Sequence, residues 1–586
     1  MRIERHAVGE AALSAAVGDF AERIAGDVHR MQHDESPRYG WEMVCASFLD
    51  YVGARSVENP ALAGRDCRLA LESAAAAATG ALALTARPRG VGDVFIEYTG
   101  TGVVYDREES GSEVPAADWL DAFFLAFVAG DTDRDGRLFV DAALSRAGRE
   151  DRADVALVHA LLAYVHGHIE AARVPGGPGA VSDEQRAAYV DSLARDVAPG
   201  TDRAPHRAAL ATLRALAAGD RDGFSAALAA QLTHHRARHA AAANPRPRTL
   251  LPLDALALAA MARRWNGWEP GVDSAYLPAA AVGGFVPPAP RVRAFGADKR
   301  ADAVAALAAG PLVVDRPRPP ERPGSGDPAD HERFPQRRAA AFADPAEDPE
   351  DLAFGLPRVM EDQYRIFLRR TAGDPDGPGE RARAALRLGA EAGTAAFLLA
   401  AAEPGTTAEV TVGGVTRALP AGGGRDRVGP VQWLRATALA VVAGEADLLA
   451  ACVRIGPDPL GPGGYASAAR EYATALCDHL RGADAAPALR RAATEAFRMR
   501  GVNHLAPPVV LLSQLAAGDR EGFALALADA LEEHRDHYGV GANACDPDAP
   551  LNLDVLALVC LARRSGWDVP VLSPYLPPRL VAAPVG

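Results

Sequence analysis

Cysteine is scarce in this chain of 586 residues. The cysteines form no Cys-x-x-Cys pair, and their spacing does not match a zinc finger. These features argue against a disulfide framework and against a structural zinc site. We expect reduced core residues at all six positions, Cys45, Cys67, Cys452, Cys477, Cys545 and Cys560.

Aromatic residues are also few, at 6% of the chain, although apolar residues make up 49%. Alanine therefore supplies much of the hydrophobic surface. Strands draw on β-branched and aromatic side chains, whereas alanine favours helices that pack closely together. The composition predicts a mainly α-helical protein and argues against an all-β sandwich.

Positive charge and long apolar runs are missing as well. The formal net charge is −14, and Lys299 is the only lysine. Because such a chain repels a phosphate backbone, we expect no nucleic-acid partner. No uncharged stretch reaches the roughly 18 residues that a bilayer span needs, and the N-terminus lacks the apolar core of a signal peptide. We therefore expect no membrane partner and a cytoplasmic location.

The chain contains an internal duplication. The segment Ala217–Phe224 recurs as Ala516–Phe523, and Leu253–Leu258 recurs as Leu553–Leu558. Other pairs keep the same order: Trp119-Leu120 with Trp433-Leu434, Arg263-Arg264 with Arg563-Arg564, Gly267-Trp268 with Gly566-Trp567, and Tyr276-Leu277-Pro278 with Tyr575-Leu576-Pro577. Self-similarity at a fixed spacing indicates two copies of one domain.

The duplication predicts two homologous domains, residues 1–286 and 287–586. On this view the second domain starts where Arg291–Arg293 echoes Arg2–Arg5. Between about 316 and 349 the second copy is dense in Pro, Arg and Asp, a composition that buries too little apolar surface to order itself. We interpret residues 316–349 as a mobile and dispensable insertion, which limited proteolysis should cut first.

Each copy is predicted to be mostly helical, with one β-hairpin. Gly219-Asp220 and Gly518-Asp519 each predict the end of one helix and the capped start of the next. Apolar residues then recur every four positions, which indicates a buried helical stripe: Phe224, Leu228 and Leu232, and again Phe523, Leu527 and Leu531. Residues 253–264 and 553–564 are apolar almost all round, which predicts fully buried helices. Hairpins are expected over 94–105 and over 410–416, where Gly413-Gly414 suits a tight turn.

One segment resembles part of a calcium loop. Asp131–Gly136 supplies the first acidic ligands and the glycine of such a loop. Ala142 stands where the bidentate glutamate is needed, and Glu445–Leu448 in the second copy lacks the pattern. We interpret Asp131–Gly136 as a solvated turn between helices, with calcium as the weaker alternative.

Histidines cluster at His234, His235 and His239, at His534 and His537, and at His166 and His168. At about 100° per residue, His235 falls on the stripe of Phe224, and His534 falls on that of Phe523. No His-Glu-x-x-His motif is present. We therefore interpret His235 and His534 as largely buried, hydrogen-bonded core residues, with a zinc site as the weaker alternative.

The sequence carries no recognisable catalytic signature. The glycine-rich pieces 176–179 and 461–464 contain prolines, which remove the N–H donors that a phosphate cradle needs. A Walker motif and a Gly-x-Ser-x-Gly elbow are both absent. We name no catalytic, cofactor-binding or metal-binding residue, and we expect no cofactor and no enzymatic activity. Acid–base chemistry by two carboxylates stays open, since nothing selects a pair.

The repeated elements together point to a known family. They are a Trp-Leu helix, an Ala-Gly-Asp-Arg-x-Gly-Phe turn, a buried Leu-Asp-x-Leu-Ala-Leu helix, and Gly-Trp followed by Tyr-Leu-Pro. This pattern resembles the immunity protein 49 family of bacterial polymorphic-toxin systems, most strongly over residues 205–280 and 507–580. The tandem arrangement and the 316–349 segment depart from the single domain usual in that family.

The resemblance implies a helical fold and a toxin-neutralising role, with a cognate, basic protein toxin as partner. It marks no residue as a toxin contact, so no toxin-binding residue is named. The leading hypothesis is an immunity protein that binds and occludes a toxin domain without catalysis. A helical scaffold for other partners and a helical-bundle enzyme are the alternatives.

Overall fold

Helices form nearly all of the regular structure, as the alanine-rich composition predicts. The computed structural model describes residues 2–34, 37–86, 90–107, 114–130, 132–143, 152–173, 182–197, 206–285, 289–317, 328–372, 379–422, 427–458, 467–498 and 505–581. The chain divides into two compact units, the first built on Met1–Pro287 and the second on Pro288–Gly539 with Asn543–Gly586. Each unit has its own hydrophobic core.

The described part of the first unit contains twelve helices: α1 (Glu10–Val17), α2 (Phe20–Arg30), α3 (Pro37–Glu58), α4 (Arg65–Ala86), α5 (Ala116–Ala129), α6 (Thr132–Ala143), α7 (Arg152–Arg173), α8 (Asp183–Asp196), α9 (Arg207–Ala217), α10 (Arg221–Ala240), α11 (Leu253–Asn266) and α12 (Ala279–Gly283). Strands β2 (Gly90–Ile96) and β3 (Thr101–Arg107) pair antiparallel as the predicted hairpin. Strands β1 (Arg2–Ile3) and β4 (Asp273–Ser274) pair in parallel and join the two ends of the unit.

The described part of the second unit also contains twelve helices: α13 (Ala301–Ala309), α14 (Pro328–Ala341), α15 (Pro349–Ala372), α16 (Glu380–Ala401), α17 (Pro430–Ala443), α18 (Ala446–Ile455), α19 (Ala468–Leu480), α20 (Ala486–Arg498), α21 (Val509–Ala517), α22 (Arg520–Tyr538), α23 (Leu553–Arg564) and α24 (Pro578–Val581). Strands β6 (Thr407–Val412) and β7 (Val415–Pro420) form the second predicted hairpin. Strands β5 (Leu312–Val313) and β8 (Val571–Leu572) pair in parallel. Positive φ angles at Gly413 and Gly414, 60° and 77°, give the tight turn that the Gly-Gly pair predicts.

The two units repeat one order of elements. From α3 onward the helices of the first unit correspond one by one to those from α15 onward, with a hairpin after the second helix of each series. Detailed contacts repeat as well, since the indole N–H of Trp119 donates to the Phe139 carbonyl and that of Trp433 donates to the Cys452 carbonyl, both at 2.9 Å. Trp119 and Trp433 therefore occupy equivalent positions, and neighbouring positions of the two copies can be matched by counting from them.

The predicted helix boundaries and apolar stripes are confirmed. Gly219 and Gly518 end helices with positive φ angles, and the carboxylates of Asp220 and Asp519 cap the next helices by accepting backbone N–H groups at 2.9 and 3.0 Å. The stripe residues from Phe224 to Leu232 and from Phe523 to Leu531 are buried. Helix α11 is buried continuously over Ala255–Ala262.

The start of the second copy differs from the prediction. The parallel pairing places Leu312–Val313, and not Arg291–Arg293, in the position of Arg2–Ile3. The guanidinium of Arg316 then lies over the Tyr575 ring at 6.0 Å, as that of Arg5 lies over Tyr276 at 5.9 Å. The sequence match between the two Arg-rich segments was therefore coincidental.

The 316–349 segment is not an insertion. From Arg316 to the start of α15 the chain advances 33 residues, and from Arg5 to the start of α3 it advances 32. Within this segment, helix α14 packs on α15 because Glu332 pairs with Arg370 and Arg338 pairs with Asp362. The prediction of disorder was wrong for residues 328–349. Ion pairs stabilise the packing of α14 on α15, although the segment has few apolar residues to bury. Residues 318–327 lie outside the described residues.

Two further predictions meet the described structure only in part. Helix α6 begins at Thr132, directly after Gly130 ends α5 with a φ of 96°, so a helix replaces the predicted turn. Asp131 itself lies outside the described residues, as do 176–179 and 461–464. Of the cysteines, Cys45 and Cys545 are half-buried and the other four are buried.

Two helices are long and apolar enough to cross a membrane. They are α4 and α16, and 67% of the apolar window of each is buried inside the protein. A core helix of a globular domain passes the same test of length and composition. Their burial therefore agrees with a role at the centre of each unit.

We predict that Glu332→Gln lowers the free energy of unfolding of the second unit by about 1–3 kcal/mol, because it leaves the guanidinium of Arg370 without its anionic partner. The side chain of Glu332 is 9% exposed and that of Arg370 is 23% exposed. Urea denaturation measures the change. As a control, Asp568→Asn breaks a pair whose carboxylate is 88% exposed and should cost less than about 1 kcal/mol. Equal effects of the two substitutions would contradict the docking of α14.

Candidate functional site

A cavity of about 480 Å³ lies in the first unit, among α3, α4, α5, α10 and the N-terminal end of α11. Much of its wall is apolar, with Leu49 from α3, Leu82 from α4 and Leu125 from α5. Its volume lies within the range of roughly 300–1,000 Å³ that is typical of small-molecule sites. The cavity also collects several charged side chains.

One side of the cavity is held in place by a close backbone contact. A Cβ atom at Gly53 would lie 2.1 Å from the carbonyl oxygen of Pro247, so α3 and the segment before α11 approach closely because residue 53 is glycine. Asp50 then receives the Arg248 guanidinium in a bidentate pair, at 3.0 and 2.9 Å. This contact fixes Arg248 in the cavity wall.

Three charged side chains form a network of ion pairs in the cavity wall. Arg38 pairs with Glu42, at 2.9 Å, and with Asp118. Their side chains are between 38% and 46% exposed. The Arg38 guanidinium is therefore already neutralised by two carboxylates where the cavity meets solvent.

Another part of the cavity wall holds a histidine between two carboxylates. His206 Nε2 lies 3.7 Å from Asp121 Oδ1, and His206 Nδ1 lies 3.9 Å from Asp254 Oδ2. His206 is 8% exposed, and its Nδ1 atom has no hydrogen-bond partner within the described residues. Asp254 is positioned by the first turn of α11, where its carboxylate accepts the Ala255 N–H at 2.8 Å.

The surroundings shift the pKa values of all three groups. Burial raises the pKa of Asp121 to about 6, against the opposing effect of His206. The Asp121 side chain lines the cavity and is 62% exposed, so solvent weakens the effect of the surrounding protein on its charge. Burial alone would lower the pKa of His206, but Asp254 and Asp121 outweigh burial and raise it. Burial alone would raise the pKa of Asp254, but His206 lowers it.

The predicted core histidines differ between the copies. His534 is 1% exposed, and burial lowers its pKa to about 4, so the core interpretation is confirmed there. His235 is half-buried and lines the cavity together with His239, while its Nε2 donates to the Thr249 carbonyl at 2.7 Å. The prediction for His235 was incomplete, because an apolar stripe does not reveal an adjacent cavity.

The other predicted site residues do not come together as a metal centre. Within the described residues, no three His, Cys, Asp or Glu side chains have an arrangement that could hold a metal ion. Rings of His6, His235 and His239 do lie close together, with centroids 4.4–6.1 Å apart. The helical positions His166 and His168 lie where no side chain is described.

In the second copy, larger side chains fill the corresponding place. Counting from the matched tryptophans, Arg435 stands where the first copy has Asp121. The Arg435 guanidinium lies 3.7 Å from the centre of the Tyr364 ring, and the Tyr364 hydroxyl donates to Asp548 at 2.6 Å. Tyr538, at the position of His239, packs on His534 with ring centroids 4.6 Å apart.

Sequence reasoning named none of these three residues. One signal was present, since Asp254 is a charged residue directly before the continuously buried stretch Ala255–Ala262. A buried carboxylate of this kind needs a partner, and His206 is that partner. A comparison of the two copies would also have singled out position 121, where an acid in one copy is replaced by arginine in the other.

The fold and the cavity define a tandem duplication of one helical domain in which the copies differ at the cavity. The family model for immunity protein 49 matches residues 63–281 and 374–580. These matches cover most of the chain, one in each copy, so the chain belongs to the immunity protein 49 family, as the sequence resemblance predicts. No curated protein and no solved structure matches the chain. Asp121, His206 and Asp254 all lie within the first matched region.

We predict that Asp121→Asn stabilises the first unit relative to the unmodified protein, and increasingly so as pH rises. The pKa of Asp121 is raised from an ordinary value near 4 to about 6, so the folded protein loses stability as this carboxyl ionises across that window. Asparagine cannot ionise, so the substitution removes this loss of stability. Because the group faces an open cavity, the gain above pH 6 should be only about 1 kcal/mol.

Urea denaturation at a series of pH values measures this difference. Asp222→Asn, an exposed position in the first turn of α10, is the control and should show no gain with rising pH. A constant difference between Asp121→Asn and the unmodified protein, or one that shrinks with pH, would contradict the raised pKa.

Proposed function

We propose that this protein is an immunity protein that binds a cognate bacterial toxin domain in the cytoplasm and occludes it without catalysis. The observation that carries the proposal is the match of both copies to the immunity protein 49 family. An immunity role in general follows from that membership, and occlusion is the mechanism that the following features support best.

The rigidity of the scaffold supports a binding role. Each unit is built around a continuous hydrophobic core, and its surface helices are anchored by buried contacts such as the Trp119 and Trp433 hydrogen bonds. A preorganised surface loses little conformational entropy when a partner docks. Such a protein can bind tightly without rearrangement.

The net charge of −14 supports a basic partner. Opposite net charges accelerate diffusional encounter, and this acceleration weakens as salt screens the charges. A toxin domain that acts on an anionic substrate such as nucleic acid would carry the complementary charge. The acidic character therefore suits rapid capture of a basic toxin before it acts.

We predict that the protein forms a stoichiometric complex with the toxin domain encoded beside its gene, and that protection requires at least one protein per toxin. Association should slow as salt rises past about 0.15 M, where screening shortens to roughly 8 Å. Stopped-flow binding and a toxicity assay over a range of protein-to-toxin ratios measure both effects.

The recovered toxin distinguishes occlusion from enzymatic inactivation. After dissociation from the complex by denaturant and refolding, it should regain full activity and an unchanged mass. Protection at strongly substoichiometric protein, with a chemically altered toxin, would overturn the proposal.

A further inference from the structure

The wall of the cavity in the first copy carries an acidic group whose nearest partner is a single histidine. Arg38 is already paired with Glu42 and Asp118, and Arg248 is held by Asp50. No arginine or lysine of the described residues pairs with Asp121, whose nearest partner is His206 at 3.7 Å. Arg238 also lines the cavity, but the wall carries four carboxylates, Glu42, Asp118, Asp121 and Asp254, against three arginines, one of which is held by Asp50. This excess of negative charge favours an incoming cation, which would pair with Asp121.

A second observation points to a ligand at the same place. His206 is more than nine-tenths buried, and its Nδ1 atom makes no hydrogen bond among the described residues. An unsatisfied polar atom in a buried position costs free energy unless water or a ligand contacts it. Because His206 lines the cavity beside Asp121 and Asp254, a group with several N–H donors can satisfy these carboxylates together.

The apolar part of the cavity wall indicates what the uncharged part of the ligand would be. Leu49, Leu82, Leu125 and Leu251 give the cavity an apolar surface next to the acidic group. Sites of this kind bind molecules with one polar end and an apolar body. We propose that the cavity of the first copy binds a small organic cation, an amine or amidine on an apolar body, with its positive group on the carboxylate of Asp121.

The second copy shows how the same position is closed in the absence of a ligand. Arg435 replaces Asp121 and brings a built-in cation to this place, where it stacks on Tyr364 at 3.7 Å and lies 3.8 Å from Asp548. The protein's own guanidinium thus occupies the acidic and aromatic surroundings in that copy. By this comparison, the ligand of the first copy takes the place that the Arg435 side chain has in the second.

Binding should depend on pH through the groups around Asp121. These are His206, Asp118, Asp154 and Asp254. The same cavity is lined by the Arg38–Glu42 pair and Cys45 of α3, by His235, Arg238 and His239 of α10, and by Arg248, whereas no titratable group of α4 lines it. A cation favours ionised Asp121, whose pKa is about 6, and neutral His206, whose pKa is raised. Affinity should therefore increase as pH rises through 6 and above.

Calorimetric titration of the full chain with benzamidine tests the proposal. Benzamide and benzoate share the shape of benzamidine, but benzamide is neutral and benzoate is anionic. We expect benzamidine to bind more tightly than benzamide and benzoate to bind weakest, with one site per chain. Tighter binding of benzoate, or no binding of benzamidine near neutral pH, would overturn the proposal.

Asp121→Asn keeps the side-chain volume and removes the charge, so it should weaken benzamidine binding by at least about tenfold and leave benzamide binding unchanged. Asp222→Asn removes the same charge outside the cavity and should leave both affinities unchanged. If Asp121→Asn fails to fold, the affinity of the unmodified protein for benzamidine, measured against pH, still tests the proposal. An affinity that is constant or falls between pH 5 and 7.5 would contradict the role of Asp121.

N-acetylarginine amide distinguishes the two sources of such a cation. Binding of this probe more tightly than benzamidine would indicate an arginine side chain of a protein partner. The reverse order would indicate a free small molecule, which the cavity volume favours. The inference itself does not depend on toxin binding, and a cation site remains measurable if the proposed function fails.

Discussion

The structure depends on the burial of one helix in each copy that is apolar on every face between its charged ends. Helix α11 has neighbours α5, α9, α10 and α12, and α23 has α17, α21, α22 and α24. A helix without a polar face cannot lie on a surface, so the other helices must enclose it. At its C-terminal end, Arg264 donates to carbonyls at the ends of α5 and α12, which satisfies acceptors that helices leave unpaired. The position of α11 in turn fixes Asp254 beside the cavity.

Because the scaffold is shared, the difference between the copies lies in side chains. Three positions change together: Leu49 corresponds to Tyr364, Asp121 to Arg435 and His239 to Tyr538. The larger residues of the second copy satisfy one another through ring stacking and the Asp548 hydrogen bond. In the first copy the smaller residues leave space, and Asp121 has no arginine or lysine partner within the described residues. Side chains are thus packed at this place in the second copy, whereas the first copy has a cavity there.

Much of the fold could be predicted from the sequence because its signals are local. Stripes such as Phe224 to Leu232, the Gly-Asp helix boundaries and the Gly413-Gly414 turn each depend on a few adjacent residues. The cavity could not be predicted, because Asp121, His206 and Asp254 meet only after three separate helices pack together. The ordered part of 316–349 was missed for the same reason, since composition does not show that Glu332 meets Arg370. Family membership was recognisable because scaffold residues, which recur in both copies, carry it.

The central claim is that the two copies share one scaffold and that the first alone keeps this site open to a cation. A crystal structure grown with para-iodobenzamidine tests it most directly, because anomalous scattering locates each iodine without prior assumptions about the site. The account predicts one strong peak per chain, in the first copy, with the amidine on the Asp121 carboxylate and Arg435 still stacked on Tyr364 in the second. A peak at the corresponding place in the second copy, or none beside Asp121, would contradict it.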